Sequence, residues 1–232
     1  MKTFYHLLFN NLIAGIVNFT VWFGITFYTF LQTQSVFATS IISGLYLVST
    51  AISSIWFGSL VDHNRKKVVM LASSVISLIA YSLSFAVYVT ADPAAFTQVS
   101  SVTLWLLISV VMAGVLAGNL RNIALPTIVT LLVAADQRDR ANGMVGMVSG
   151  IGFMVTSMIS GFLVGHSGMY LVLLLAIVAT MVAIIHLFFI PVTEKEIVHT
   201  EGATSKIDIK GTIKVVAAVP GLFALIFFTT FN

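Results

Sequence analysis

Residues 58–70 read GSLVDHNRKKVVM, and they are the one place where an almost uncharged chain gathers a carboxylate, a histidine and three consecutive cations. Apolar segments over 41–61 and 68–89 flank this stretch. Each flank is long enough to cross a hydrocarbon core, which takes about 20 apolar residues in a helix. The charges of 58–70 are therefore predicted to lie in a short loop at one face of a membrane.

Composition excludes a water-soluble fold. Of the 232 residues, 59% are hydrophobic and only 8% are charged, whereas an average soluble domain has about 25% charged residues. The net charge of +3 does not indicate nucleic-acid binding, because the cations are scattered among loops rather than gathered on one face. Without cysteine and without a metal-ligand pattern, we expect no disulfide, no metal and no other cofactor. The composition predicts an all-α polytopic membrane protein.

The apolar segments predict six complete membrane-spanning helices and part of a seventh. They run over 7–30, 36–61, 68–89, 102–135, 144–164 and 169–190, and 215–231 begins another. The first segment lacks a small-residue cleavage site, so we interpret it as a helix and not as a signal peptide. We divide the chain into a six-helix bundle over 1–192, a polar cytoplasmic linker over 193–213 and an incomplete seventh helix over 214–232.

The distribution of Lys and Arg predicts the orientation in the membrane. Of the 11 Lys and Arg residues, all except Arg121 lie at the N-terminus, in alternate loops, in the linker or, for Lys214, directly after it. The intervening loops, 31–35, 91–101 and 165–168, carry none. Because cytoplasmic loops are enriched in Lys and Arg, the N-terminus and the 58–70 loop are predicted to be cytoplasmic, in a plasma or inner membrane.

Arg121 lies about halfway along the fourth segment, where a charge costs at least roughly 2.5 to 3.5 kcal/mol. It therefore needs a wet cavity or polar partners. Residues spaced by four, seven and eleven positions lie on one face of a helix. The first segment has such a stripe in Asn11, Gly15, Asn18 and Trp22, and the fourth segment has one in Gly114, Gly118, Arg121 and Leu125. Asn119 and Asn122 flank Arg121.

The candidate cavity residues are Asn11, Asn18, Trp22, Arg121 and Asn122. The alternative is an arginine that bonds helix carbonyls and asparagines and serves packing alone. We expect His186, near the end of the sixth segment, to lie at the membrane interface rather than in a proton relay.

Residues 58–67 resemble the loop between helices two and three of the major facilitator superfamily, with the family's residues in place at Gly58, Leu60, Asp62, Lys66 and Lys67. His63 and Arg65 depart from that pattern, because they stand where Arg and Gly are usual. The run DRANG at 139–143 is similar to the start of helix five in the drug:proton antiporter branch. A linker after six helices also fits this family, whose fold has two six-helix halves, each built from three-plus-three inverted repeats.

The resemblance implies transport of small amphipathic molecules, such as drugs or metabolites, by alternating access coupled to protons. It also implies that the 58–67 loop locks the two halves together in the outward-open state, with gating residues Gly58, Asp62, Arg65, Lys66 and Lys67. Asp62 opposes the helix dipole, which favours cations at a helix C-terminus. We therefore expect it to have a partner, such as Arg65 or a facing helix N-terminus. The alternative is that the three cations only anchor the topology.

The fifth segment is rich in small residues. Gly143, Gly152 and Gly161 match the antiporter signature of this helix, whereas Thr156, Ser157 and Ser160 replace its Gly, Pro and Gly. Small residues let helices approach closely in lipid, so the three glycines are candidate packing residues. Close packing alone would select the same residues as an antiporter function.

Two rival interpretations concern the whole chain. An enzyme is not predicted, because the sequence lacks an H-E-x-x-H motif, a G-x-S-x-G motif and an acidic pair within a span. No Asp or Glu lies within a predicted span, so a proton-carrying carboxylate is expected in a missing C-terminal half or a second copy. We expect 1–232 to be part of a longer transporter that does not transport alone. The alternative is a truncated or non-transporting six-helix membrane scaffold.

Overall fold

The computed structural model describes residues 2–192 together with 217–219, 221 and 224. The chain divides into two units, Met1–Ile197 and Val198–Asn232. The linker predicted over 193–213 lies outside the described residues. So does the seventh helix predicted over 214–232, apart from the few positions just named.

Six long α-helices form the first unit, and each is long and apolar enough to cross a membrane. In chain order they are α1 (Lys2–Thr33), α2 (Val36–His63), α3 (Lys66–Thr90), α4 (Val102–Leu132), α5 (Arg138–Ser167) and α6 (Met169–Phe189). Short 3-10 helices, Pro93–Phe96 and Ala135–Gln137, precede α4 and α5. The residues that the structure describes contain no strand. The predicted all-α membrane bundle is confirmed.

Several helices begin or end at residues that hydropathy did not identify. α1 begins at Lys2 and α5 at Arg138, several residues before the predicted apolar segments, while α4 ends at Leu132. α1 and α5 are longer than their segments because hydropathy marks only the part of a helix that matches the hydrocarbon core, whereas backbone hydrogen bonding continues through polar residues beyond it. α4 is shorter than its segment because the backbone becomes extended at Val133. Ser35 and Ser101 start α2 and α4 by accepting hydrogen bonds from backbone N–H groups in the first turn.

The packing of the six helices has an internal two-fold pattern. α1 packs against α5 and α6, while α4 packs against α2 and α3. In addition, α1 contacts α4 and α3 contacts α6. Exchanging α1–α3 with α4–α6 leaves this set of neighbours unchanged, as expected for two three-helix inverted repeats. α1 and α4 are therefore equivalent helices that meet at the centre of the bundle.

Two apolar clusters fill the interior, and a polar layer separates them. One cluster includes Phe4 of α1 and Ile128 of α4. It lies at the face that carries the start of α1, the α2–α3 loop and the end of α6, which we name the N-terminal face. The other cluster includes Ile25 and Leu107, nearer the opposite face. The polar layer consists of buried polar residues that lie between the two clusters along α1 and α3, at Asn10 and Ser74, and of Arg121 on α4, which directly follows Leu120 of the first cluster.

Candidate functional site

The polar layer is built around Arg121 of α4, whose side chain is 3% exposed. Its Nη2 donates a hydrogen bond to Asn10 Oδ1 on α1, and its Nη1 donates to Ser74 Oγ on α3. A longer contact of 3.5 Å joins Nη1 to the carbonyl oxygen of Met70. We name these groups the arginine cluster. The guanidinium thus ties three helices together through hydrogen bonds made by a charged donor, which are stronger than neutral ones.

The charge of Arg121 has no carboxylate partner among the described residues, and its buried Nε has no hydrogen-bond partner there. A charge in the middle of a span is tolerated when it faces polar groups or a wet cavity. The polar groups are supplied by Asn10, Ser74 and the Met70 carbonyl. Besides its bonded partners, Arg121 lines a narrow polar cleft between α1 and α4 together with Asn11, Asn18, Gly118 and Asn122.

The structure brings four of the five predicted cavity residues to this cleft. Asn11 is buried and Asn122 is exposed, and neither makes a side-chain hydrogen bond within the described part of the chain. The free space at the centre of the cleft is about 10 Å³, which is roughly the space that one water molecule needs. The fifth residue, Trp22, lies apart from the cleft and stacks on Tyr46 of α2 with ring centroids 4.0 Å apart.

A second set of hydrogen bonds joins α1 to α2, α3 and α4. The Asn18 amide nitrogen donates to the Val115 carbonyl at 3.2 Å and to Asn119 Oδ1 at 3.0 Å. Asn18 Oδ1 accepts from the Tyr81 hydroxyl at 2.9 Å, and Asn119 donates to the Tyr46 hydroxyl at 3.0 Å. We name Asn18, Asn119, Tyr46 and Tyr81 the asparagine–tyrosine network. The network gives hydrogen-bond partners to both the nitrogen and the oxygen of the buried Asn18 amide.

Sequence reasoning missed several of these partners. Asn10 and Ser74 hold Arg121, and Tyr46 and Tyr81 complete the network, yet none of the four was a candidate. A signal existed on α3, where Ser73 and Ser77 lie four residues apart and donate to α4 carbonyls at 2.6 and 2.8 Å. Serines at this spacing in a span indicate a face packed against another helix.

Several glycines also lie where two helices are in contact. A Cβ at Gly118 would overlap the Asn18 amide, and one at Gly114 would lie 2.7 Å from Tyr81. On α5, Gly152 and Gly161 face α1, with Leu12 and Phe27 at 3.8 and 4.0 Å from such a Cβ. No atom lies within 4 Å of a Cβ at Gly143. Of the three predicted packing glycines, the structure therefore places two at the α1–α5 contact.

The predicted gating residues lie at the N-terminal face. Asp62 and Arg65 are exposed, and the described residues give the Asp62 carboxylate no hydrogen bond and no ion pair. Asp62 therefore makes no pair with Arg65, which was one of the two partners considered for it. Gly58 has open space around it, with no atom within 4 Å of a Cβ built there.

The two lysines of the loop do make contacts. Lys66 is buried, and its ammonium lies 3.4 Å from the carbonyl oxygen of Asp62. Lys67 donates to the carbonyl oxygens of Phe188 and Ile190, at 3.1 and 2.6 Å. The loop is therefore attached to the end of α6.

His186 is half-buried near the same end of α6. Its Nδ1 lies 3.2 Å from the amide nitrogen of Asn10, the residue that holds Arg121. His6 of α1 lies beside it, with ring centroids 6.0 Å apart. An interfacial position was predicted for His186, but the hydrogen bond to the arginine cluster was not.

Comparison with known proteins identifies the family. A scan against protein-family models matches residues 7–232 to the Major Facilitator Superfamily. Searches of curated proteins and of solved structures gave no match. The family match agrees with the six membrane-spanning helices and with the resemblance of the 58–67 loop. Proteins of this family are membrane transporters of small molecules and not enzymes, and this multi-pass membrane protein belongs to the Major Facilitator Superfamily.

Proposed function

We propose that this protein carries small amphipathic molecules, such as drugs or metabolites, out of the cell by alternating access. The observation that carries the proposal is the polar cleft between α1 and α4. Asn11 and Asn122 present unpaired amides there beside Arg121, and they also line an adjoining space with the apolar side chains of Leu12 and Ile16. Apolar walls with a few placed polar groups are typical of small-molecule sites.

Arg121 is proposed to be the fixed charge of this site. Asn10 and Ser74 hold two of its nitrogens, so the guanidinium has a set direction rather than a choice of rotamers. Such support from neighbouring groups favours precise binding. The packing alternative accounts for the bonds to Asn10 and Ser74, but it gives no role to the unpaired amides of Asn11 and Asn122.

Alternating access in this fold needs a second six-helix bundle that rocks against the first. We propose that a C-terminal half or a second copy of the chain supplies it. The support comes from α2 and α5, which are equivalent in the two repeats and have the fewest buried residues of the six helices. Large apolar side chains such as Trp56 and Met158 are exposed on them.

The 58–67 loop is proposed to contact this second bundle in one of the two access states. Asp62 is exposed with no partner within the described chain, and the space around Gly58 is open. A facing helix could therefore approach Gly58 closely and meet the Asp62 carboxylate with its N-terminus, which favours negative charge.

Proton coupling and orientation complete the proposal. The carboxylates of the described residues lie at helix ends or in connections, at Asp62, Asp92, Asp136 and Asp139, so we assign the coupling carboxylate to the second bundle. The N-terminal face is proposed to be cytoplasmic, in a plasma or inner membrane, because it carries Lys2, Arg65 and Arg138 while the opposite loops carry no Lys or Arg.

The test is an efflux assay on cells that produce the protein from its native reading frame. Cells are loaded with a panel of amphipathic dyes, cationic, neutral and anionic, and efflux is followed with and without a protonophore. We expect faster efflux of at least one dye class than in vector-only cells, and we expect the protonophore to abolish the difference. Equal efflux across the whole panel would contradict the proposal.

A further inference from the structure

A chain of hydrogen bonds runs from the N-terminal face to Arg121. His186 Nδ1 meets the Asn10 amide nitrogen at 3.2 Å, the same nitrogen donates to the Ala183 carbonyl at 2.8 Å, and Asn10 Oδ1 accepts from Arg121. A cavity of about 170 Å³ lined by His6, His186, Phe189, Ile190 and Pro191 lies at the outer end of the chain. This volume exceeds that of a single water molecule several-fold, so water can reach the imidazole.

The partners of Asn10 fix the orientation of its amide. Arg121 can only donate and the Ala183 carbonyl can only accept, so the Asn10 oxygen must face Arg121 and the nitrogen must face Ala183. Turning the amide over would set donor against donor at Arg121 and oxygen against oxygen at Ala183. The Asn10 nitrogen therefore also presents N–H to His186.

It follows that His186 Nδ1 accepts a hydrogen bond and carries no proton. The arrangement accordingly holds a neutral imidazole with its proton on Nε2. A second proton on His186 would place its Nδ1–H against the N–H of the Asn10 amide. It would also add a positive charge that only Asn10 separates from the Arg121 guanidinium. Either the contact to Asn10 breaks, or the amide turns and its oxygen leaves Arg121.

We propose that His186 is a proton-binding site whose occupation competes with the Asn10–Arg121 hydrogen bond. The direction of the pH dependence follows from the acceptor role of Nδ1. The arrangement described here requires a neutral His186, and it is lost when acidification adds a proton to the imidazole. When the Asn10 amide turns in response to protonation, Arg121 is released from α1 while its bond to Ser74 on α3 remains.

The other ionisable groups around His186 favour this competition. They are His6 on α1, Arg121 on α4 through Asn10, and Lys67 on α3, which bonds the carbonyls of Phe188 and Ile190. All three are cations or become cations on protonation. On α5, Asp139 and Arg140 lie at the same face and are exposed. Within the described residues, no carboxylate bonds to His186, so nothing there offsets the added charge.

The proposal goes beyond transport, since it needs neither a substrate nor a second bundle, and its test contains no transport step. The test is a pH titration of the 232-residue protein in lipid nanodiscs by NMR, with ¹⁵N in the histidine rings and in the asparagine amides. His186→Gln and Asn10→Leu assign the resonances. At high pH we expect the Nε2–H form for His186, and we expect the Asn10 amide resonance to shift with the same midpoint as the His186 ring.

His63 is the internal control. Its Nδ1 lies 2.8 Å from the Ser59 carbonyl, so it must donate there and should show the opposite tautomer. His63→Gln should leave the Asn10 titration in place, whereas His186→Gln should abolish it. An Nδ1–H form for His186 at high pH, or an Asn10 resonance that stays unmoved while His186 titrates, would overturn the proposal.

A second readout uses the absence of cysteine from the chain. Thr180 of α6 is buried and lines a space shared with Ser74 and Arg121. In the Thr180→Cys variant, we expect the rate of maleimide labelling, corrected for the thiolate fraction at each pH, to rise several-fold on acidification because the space opens when Arg121 is released. Adding His186→Gln should remove this rise. A rise that persists in the double variant would likewise overturn the proposal.

Discussion

The Lys67 ammonium, at the start of α3, lies 2.6 Å from the carbonyl oxygen of Ile190, just beyond the end of α6. The last carbonyls of a helix have no partner within the helix, and a cation there also complements the helix dipole. Lys67 therefore joins the two inverted repeats at the N-terminal face, besides any part it has in membrane topology.

This contact predicts a role for Lys67 in stability. Lys67→Gln should lower the free energy of unfolding by about 1 kcal/mol, because hydrogen bonds from charged donors contribute roughly 1.5 to 3 kcal/mol when buried and less when half-exposed. Lys67→Arg, which keeps the charge and the donors, should lose less. Thermal unfolding in detergent would measure both variants. A Lys67→Gln protein as stable as the unmodified one would show that the contact contributes nothing.

Arg121→Ala should reduce transport about tenfold or more, since roughly 1.4 kcal/mol corresponds to a factor of ten and at least two charge-assisted bonds are lost. Arg121→Lys should restore only part of the activity. A single ammonium retains the charge but lacks the planar fork that reaches Asn10 on α1 and Ser74 on α3 together.

The matched control for Arg121 is Arg140→Ala, which removes the same charge from an exposed position at the start of α5. Its transport rate and membrane abundance should stay normal. Efflux would be measured at equal protein abundance for all three variants. Arg121→Ala with unimpaired efflux would exclude Arg121 from the transport site.

Gly118→Ala should disturb the asparagine–tyrosine network, because the added methyl group overlaps the Asn18 amide. Asn18 would have to move from Val115, Asn119 and Tyr81, and overpacking of this kind typically costs about 1 to 3 kcal/mol. Gly143→Ala is the control, since a Cβ there meets open space and alanine favours helix. We expect a lower unfolding temperature for the first variant alone. Equal unfolding temperatures would indicate that α1 and α4 separate to make room.

The sequence predicts those features of the structure that the lipid environment constrains, namely the helix ends and the positions of charges. Charges at 65–67 and 138–140 mark helix ends because hydrocarbon excludes them, and the same exclusion makes Arg121 conspicuous inside a span. The stripes with Asn18 and Gly118 were recognised because a helix repeats at a fixed angle. The two stripes are in contact, which agrees with the equivalent positions of α1 and α4 in the two repeats.

Pairing between helices was harder to predict, because it depends on how each helix is rotated about its axis. Asn10 lies next to the predicted Asn11 but faces Arg121 and His186 instead of the cleft. Nothing in the order of residues distinguishes these two asparagines. In the same way, the sequence suggested Arg65 as a partner for Asp62, yet both side chains are exposed and unpaired within the described chain.

The orientation of the bundle is open to a direct test. Reporter fusions after Gln34, Pro93 and Ser167 should report the outside, because the connections that contain these residues carry no Lys or Arg. Fusions after Asn64, Arg138 and Gly202 should report the cytoplasm. Paired reporters that are active only inside or only outside would make each fusion its own control. A cytoplasmic signal at Gln34 would contradict the predicted number of membrane-spanning helices.

Asp62 provides the sharpest test of the 58–67 loop. Its carboxylate is exposed and has no partner within the described residues, so Asp62→Asn removes no bond that holds this bundle together. We therefore expect normal membrane abundance and an unchanged unfolding temperature. If the carboxylate instead meets a helix N-terminus of the second bundle in one access state, its loss should shift the balance between states and slow transport several-fold, since such contacts are worth about 0.3 to 2 kcal/mol.

The control for Asp62 is Asp136→Asn, which removes the same charge from an exposed position at the same face. Efflux rates of the two variants would be compared at equal abundance, together with cysteine labelling of the two faces in the cysteine-free background. Slower efflux and altered labelling in Asp62→Asn alone would support a gating contact. Equal behaviour of the two variants would mean that Asp62 makes no gating contact, and that the loop acts in membrane topology and, through Lys67, in joining α3 to the end of α6.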